Sequence, residues 1–524
     1  VLNLIRYNFM MPKIAIRLQG LLMTLCFFSI TGFAQNIYYL DSSNGNDKNS
    51  GLKPASSWAS LARVNAMVFK PGDKLLMKAG TVYQGQLILR GSGKAGMPIV
   101  VDAWGKGNKP RIDGGGFTAS AVKLENVEYW EVSNLEITNT GPQRQARRTG
   151  VAVIARDFGE SHHIYLRNLS VHDVNGSLVK NAGGGSAIFW HNGGDSIRSR
   201  FIDLRIENCH LYSCERNGII AQGYSNRAHW YPSLGVVIRG NLLEKIPGDG
   251  IVPIGCDGAL IEYNIMRDSP DILSHEEAAA GIWPWSCDNT IIQFNEVSGH
   301  KAKWDGQGFD ADWNCKNTII QYNYSHDNYG GFLLICNEGS SIGSSSNIGT
   351  SGTIIRYNIS INDGLRPYPT QRAGIFSPVF HITGPCRDTQ IHNNIIVVKP
   401  KTSGGIDRTL VKMENWGGPW PERTVFRNNI FYSLDSSQFS IGQAIATTFS
   451  GNTFYGTFEN IPVDTTAITK DPMFECIPQH HHRAAIRKCL QMLSPSGSKG
   501  NGVDVHAAVL KRFFSNAAMS DYKQ

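Results

Sequence analysis

The chain has 524 residues, 41% hydrophobic and 10% aromatic but only 18% charged, a composition that supplies a large core and excludes both a disordered chain and a coiled coil. Glycine stands out at 55 residues, too few for collagen and without its triplet period, so it serves tight turns. The net charge of +7 falls to +4 from Gln35 onward, with no clustered Lys/Arg stripe of the kind nucleic-acid or membrane-surface binding uses, although it suits an acidic polysaccharide.

From Met11, Lys13 and Arg17 precede an apolar run over 21–30, and Gly32-Phe33-Ala34 offers small residues for cleavage before Gln35. Residues 11–34 therefore read as a signal peptide, with 1–10 ahead of its start. The apolar run is about ten residues, short of the roughly 20 that span a bilayer, so the expected product is exported without a membrane span, to the periplasm, the cell surface or the medium.

Residues 35–464 read as one elongated domain with an N-terminal cap. Ser57-Trp58-Ala59-Ser60-Leu61 opens a short amphipathic stretch, and Lys70-Pro71-Gly72-Asp73 and Val82-Tyr83-Gln84-Gly85 punctuate the first coil. A phrase ending in asparagine then recurs: TIIQFN at 290–295, TIIQYN at 318–323 and TIIRYN at 353–358. Looser copies end at Asn134, Asn168, Asn208, Asn241, Asn264, Asn394, Asn429 and Asn452, giving eleven copies spaced by 23 to 40 residues. Such a period demands a solenoid.

Each phrase alternates by two and is rich in β-branched and aromatic residues, which excludes the helical solenoids. The expected fold class is all-β, a right-handed parallel β-helix of eleven or more coils with terminal caps, in which the recurrent asparagines stack as an amide ladder. Cys256, Cys287, Cys315 and Cys386 each lie eight residues before a phrase-ending asparagine and form one column. Neighbours in such a stack sit about 4.8 Å apart, a poor match to tetrahedral zinc, so the column reads as buried thiols and no metal site is assigned. The nine cysteines beyond the signal leave at least one unpaired, and a monomer is expected.

The strand before the phrase aligns as Gly218–Gln222, Gly250–Ile254, Gly281–Trp285, Gly308–Asp312 and Gly331–Ile335. This register turns Ile219, Ile251, Ile282, Phe309 and Phe332 inward, and points Trp283, Trp285, Asp310, Asp312, Leu333 and Ile335 outward. Asp310 and Asp312 then share one face, two carboxyls placed as acid–base glycoside hydrolysis uses them, with pKa values pushed apart by their proximity. Trp283, Trp285 and Trp313 offer ring faces on which sugars stack. Asp249 and Asp305 precede their strands at glycine turns and are further catalytic candidates beside their turn-forming role. Glu277, after His275 and Glu276, is a carboxylate on the loop before the tryptophan strand. His300, Lys303 and Arg372 are candidate substrate contacts. The segment 465–524 loses the phrase, becomes basic and His-containing at His480, His481 and His482, and reads as a cap or tail without a metal site.

The opening Tyr38-Tyr39-Leu40-Asp41-Ser42-Ser43-Asn44-Gly45-Asn46-Asp47, with Pro71-Gly72-Asp73 and Ile112-Asp113-Gly114, resembles that of secreted bacterial right-handed β-helix proteins, the pectate-lyase-like superfamily, over about 37–460. Within it the resemblance is nearest to β-helix glycoside hydrolases exported by Bacteroidetes. It implies a carbohydrate-active enzyme with a polysaccharide or oligosaccharide substrate. Gln307-Gly308-Phe309-Asp310 is similar to the Asp-Asp-Gly-Phe-Asp calcium motif of one pectate-lyase family, but Gly306 and Gln307 replace its paired aspartates. None of the polygalacturonase motifs is present. A glycoside hydrolase without cofactor is expected. The alternatives are β-elimination of a uronic-acid polymer, with calcium or Lys301 or Lys303 assisting, and a non-catalytic carbohydrate-binding or adhesin-like β-helix.

Overall fold

The computed structural model describes residues 35–339, 343–400 and 406–474; the expected signal segment, most of the 465–524 segment and the three adjacent histidines lie outside them. The chain winds as a parallel β-helix with three walls. The first wall runs through fourteen strands from Ile37–Leu40 to Thr448–Ser450, and the second through thirteen from Val82–Gln84 to Thr453–Tyr455. The third consists of two six-stranded sheets, one ending at Ile251–Val252 and the other beginning at Gln307–Ala311. Between them the segment 281–285 is held by single bridges, Ile251 to Ile282, Ile254 to Trp285 and Ile282 to Phe309. Pro253 and Pro284 sit in this stretch and donate nothing to the ladder, which is why the wall thins there.

Alternation along each strand fills the interior with Val, Ile, Leu and Phe, and toward the C-terminal end phenylalanines stack rung on rung, Phe426 on Phe449 at 4.6 Å and Phe431 on Phe454 at 5.5 Å. At the N-terminal end the short helix Leu61–Asn65, capped by Ser60 accepting from the Arg63 N–H, buries Leu61 and Val64, and Trp58 stacks on Tyr38 over the first coil.

The asparagine ladder exists from Asn241 through Asn264, Asn295, Asn323, Asn358, Asn394 and Asn429 to Asn452. Asn295 shows the pattern: its Nδ2 donates to the Ile261 carbonyl and to Asn323 Oδ1, while its Oδ1 accepts from the backbone and side-chain amides of Asn264. Asp464 ends the series by accepting from Asn452 Nδ2 at 3.0 Å. Asn134, Asn168 and Asn208 do not belong to it. They take the left-handed turn position immediately before the ladder column, where Tyr263, Phe294 and Tyr322 stand in later coils, and Asn168 donates to Asn134 outside the helix. A one-residue offset in the early coils brings Cys209 to the head of the ladder, its N–H donating to Asn241 Oδ1.

Cys256, Cys287, Cys315 and Cys386 are buried free thiols, as the column requires. The glycine column also has a physical reason. A Cβ at Gly250 or Gly281 would meet the carbonyl of the next coil's glycine at 2.5 or 2.3 Å. It ends at Gly308, because Phe309 pairs with Leu333 and Ala311 with Ile335. The expected outward placement of Leu333 and Ile335 is therefore corrected by one residue: both are in the core, and Leu334 and Cys336 continue the outer columns of Asp310 and Asp312.

Candidate active site

The longest connections in the middle of the helix, over 176–185, 268–281 and 362–379, all join the second wall to the third. Insertions in a solenoid fall on one side, and here they stand over the thinned part of the third wall. The outer face beneath them carries two columns. One reads Trp283, Asp310, Leu334, His381 and Lys412, the other Trp285, Asp312, Cys336, Thr383 and Glu414. A recess of about 340 Å³ opens on this face, lined by Lys180, Trp283, Trp285, Trp304, Asp305, Asp310, Asp312, Trp313, Cys336 and Trp416, with Asp249 and Glu277 at its base.

Three carboxyls thus meet in one recess. Asp305 reaches it from a turn in the left-handed conformation at φ 61°, which Asp tolerates. Arg366, buried at 1% exposure, pins that turn by donating to the carbonyls of Ala302 at 3.0 Å, Lys303 at 2.7 Å and Asp305 at 2.8 Å. Burial, the charge of Asp312 and that of Asp249 push the Asp305 carboxyl up to about 7, with Lys180 opposing them. Asp312 is raised too, chiefly by burial, but it accepts from the Trp313 N–H at 2.6 Å and the Cys336 thiol at 3.0 Å, both of which favour its ionised form. Asp310 is 3% exposed, its Oδ1 has no donor, and burial with Asp312 and Asp305 nearby raises it well above the carboxylate range. Three neighbouring carboxyls therefore have unequal proton affinities.

Asp249 and Glu277, expected as catalytic candidates, have their oxygens committed to holding the recess. Asp249 is fully buried and accepts from Arg216 Nη1 at 2.6 Å, Trp283 Nε1 at 3.2 Å and the Ala280 N–H at 3.2 Å, with Lys180 Nζ at 3.4 Å. Its pKa lies below the ordinary value, because Lys180 and Arg216 outweigh burial. Glu277 accepts from the Lys180 N–H at 2.8 Å and lies 3.4 Å from Arg216 Nε. Both carboxylates orient Trp283 and Lys180.

Of the expected substrate contacts, Trp283, Trp285 and Trp313 line the recess, Trp283 lying 6.1 Å from Trp285 and Trp285 5.8 Å from Trp313. His300 does not reach it. It is fully buried and pairs through Nε2 with the Gly248 carbonyl, because the turn that carries it folds inward onto Asn328. Lys303 is likewise occupied, donating to the Leu273 carbonyl and to Asp271, both at 2.7 Å. Arg372 lies in an adjoining recess, its guanidinium 4.2 Å over the Trp304 ring. Sequence reasoning missed Lys180, Arg216, Arg366, Cys336, Trp304 and Trp416, which long connections or a one-residue register shift bring in. The uneven repeat spacing was the available signal for those connections.

A family model described as a right handed beta helix region matches residues 186–396. The lacto-N-biosidase of Bifidobacterium longum subsp. longum is 28% identical over 535 residues, covering 83% of this chain and 31% of the relative. A GH136 lacto-N-biosidase from Eubacterium ramulus, solved in native form, aligns at 27% identity and TM-score 0.59, covering 72% of this chain and 65% of that one. The A-module of an Azotobacter vinelandii mannuronan C-5 epimerase aligns at 13% identity and TM-score 0.50, over 77% of this chain and 92% of the module, a likeness of fold alone. The chain spans about a third of the length of the curated relative and about two thirds of the solved one. By fold the chain is a right-handed parallel β-helix, and in sequence and structure it is similar to lacto-N-biosidases.

Proposed function

We propose that the chain is an exported glycoside hydrolase that cleaves an oligosaccharide in the carboxyl recess, with Asp305 as general acid and Asp312 as the carboxylate that attacks the anomeric carbon directly or through water. The observation that carries this reading is the division of proton affinity between two half-buried carboxyls on one recess. Asp305, at about 7, holds a proton to give to the leaving oxygen near neutrality. Asp312, supported by an N–H and a thiol donor, is the better anion. Asp310, buried and protonated, is a weaker candidate for direct contact than its column position alone suggests. Trp283, Trp285 and Trp313 supply apolar surface for sugar rings, and Lys180 balances part of the negative charge.

The similarity to lacto-N-biosidases makes that activity the first to assay. Purified protein is incubated with a nitrophenyl lacto-N-bioside and a panel of glycans. Release of reducing sugar without an unsaturated product supports hydrolysis. An unsaturated product instead supports the lyase, and tight glycan binding without turnover supports the carbohydrate-binding alternative.

A further inference from the structure

We propose a second sugar-binding subsite: the recess beside Asp305 walled by Trp304 and Trp416, with Gln307, His381 and Glu414 inside it, takes a neutral sugar ring contiguous with the ring held at the carboxyls. This rests on the hydrolase reading and extends it. The recess holds about 270 Å³, and Trp304, Asp305 and Trp416 line both it and the carboxyl recess, so a glycan leaving one enters the other past Asp305. Glu414 lies three rungs from Asp312 in the same outer column, about 14 Å by strand spacing, farther than one ring extends.

The chemistry inside the recess matches a hydroxylated ring. Gln307 is 3% exposed and its Oε1 meets no donor in the chain, an unanswered buried acceptor of the kind a sugar hydroxyl satisfies. Glu414 is fixed by His381, Nε2 to Oε1 at 2.8 Å, and that bond holds its carboxylate below the usual range, so it offers a second, anionic acceptor. His381 is itself held edge-on by Trp416 at 5.7 Å and by Phe376 at 4.9 Å, leaving a rigid floor. The indoles of Trp304 and Trp416 provide apolar walls. Neutrality follows from charge. Asp305 and Glu414 both face the recess, whereas Arg372 is spread over the Trp304 ring and lies 3.9 Å from Glu276, so its charge is partly answered already. A carboxylate on the incoming ring would meet two acids and one engaged cation.

The test compares substrate lengths in the full chain and in two variants, Glu414→Ala and Gln307→Ala, each checked for wild-type circular dichroism and melting. The quantity read is the ratio of kcat/KM for a neutral tetrasaccharide to that for the shortest nitrophenyl glycoside cleaved. In wild type the ratio favours the longer substrate, and in at least one folded variant it drops about tenfold, the worth of one hydrogen bond to a charged group. An unchanged ratio in both variants overturns the subsite, as does equal cleavage of a tetrasaccharide carrying a carboxylate on the ring at this position. If the wild type cleaves no glycan, the hydrolase reading fails separately. Calorimetric binding of the same tetrasaccharide then decides the subsite, which stands if Glu414→Ala weakens binding and falls if it does not.

Discussion

The Cys336 thiol lies one rung from Asp312 in the same outer column and donates to its Oδ1 at 3.0 Å. That contact favours the carboxylate, against burial, which works the other way. Replacing Cys336 with Ala removes the donor and raises the Asp312 pKa, so the acidic limb of the kcat/KM profile moves to higher pH. Cys336→Ser keeps a donor and leaves the limb near its wild-type position. A pH profile of both variants on one glycoside checks this, and equal profiles for Ala and wild type would remove the thiol from the account.

Asp305 must be protonated to act as an acid, and its folded value is about 7. Activity is therefore full below that value and falls as pH rises through it, giving the basic limb of the profile. Lys180→Met removes the cation that lowers this carboxyl, so the limb shifts upward, measured by the same profile.

Asp310 carries a stability consequence. Its folded pKa is raised above the unfolded value of about 3.9, so the folded state binds the proton more tightly and stability is lost as pH rises above the unfolded value. Asp310→Asn removes that loss. The variant melts higher than wild type at pH 7, and the gain disappears near pH 4, as thermal unfolding at the two pH values will show.

Arg216 and Asp249 are both fully buried, and the ion pair between them also holds Trp283 and Lys180. Arg216→Leu leaves a buried carboxylate short of its strongest donor and costs about 3–5 kcal/mol in denaturant unfolding. Replacing Asn323 with Leu interrupts the amide ladder in mid-course and strands donors and acceptors on both neighbouring coils, at a cost of about 3 kcal/mol or more.

The fold was legible because a β-helix repeats its constraints: one asparagine per coil and one thiol column make the period visible without any long-range information. The offset at Asn134, Asn168 and Asn208 was hidden because Asn suits both the ladder and the adjacent left-handed turn. The slip at Gly331 arose because two adjacent glycines, Gly330 and Gly331, gave no mark of which one belonged to the column. Asp305, Asp310 and Asp312 with the tryptophans were readable from local alternation and turn signals. Their proton affinities were not, since those depend on Lys180 from a loop more than a hundred residues earlier and on the Cys336 thiol one rung away. Arg366, which pins the Asp305 turn, lies in a connection with no repeat pattern.

The central claim, that Asp305 gives the proton and Asp312 meets the sugar, is tested most directly by leaving-group dependence in Asp305→Ala. With a dinitrophenyl glycoside, whose leaving group needs no proton, the variant should retain much of the wild-type rate, while cleavage of the corresponding oligosaccharide falls by at least a hundredfold, roughly the worth of general acid catalysis. Asp312→Asn should lose both. Equal losses on the two substrates in Asp305→Ala, or an active Asp312→Asn, would contradict the assignment.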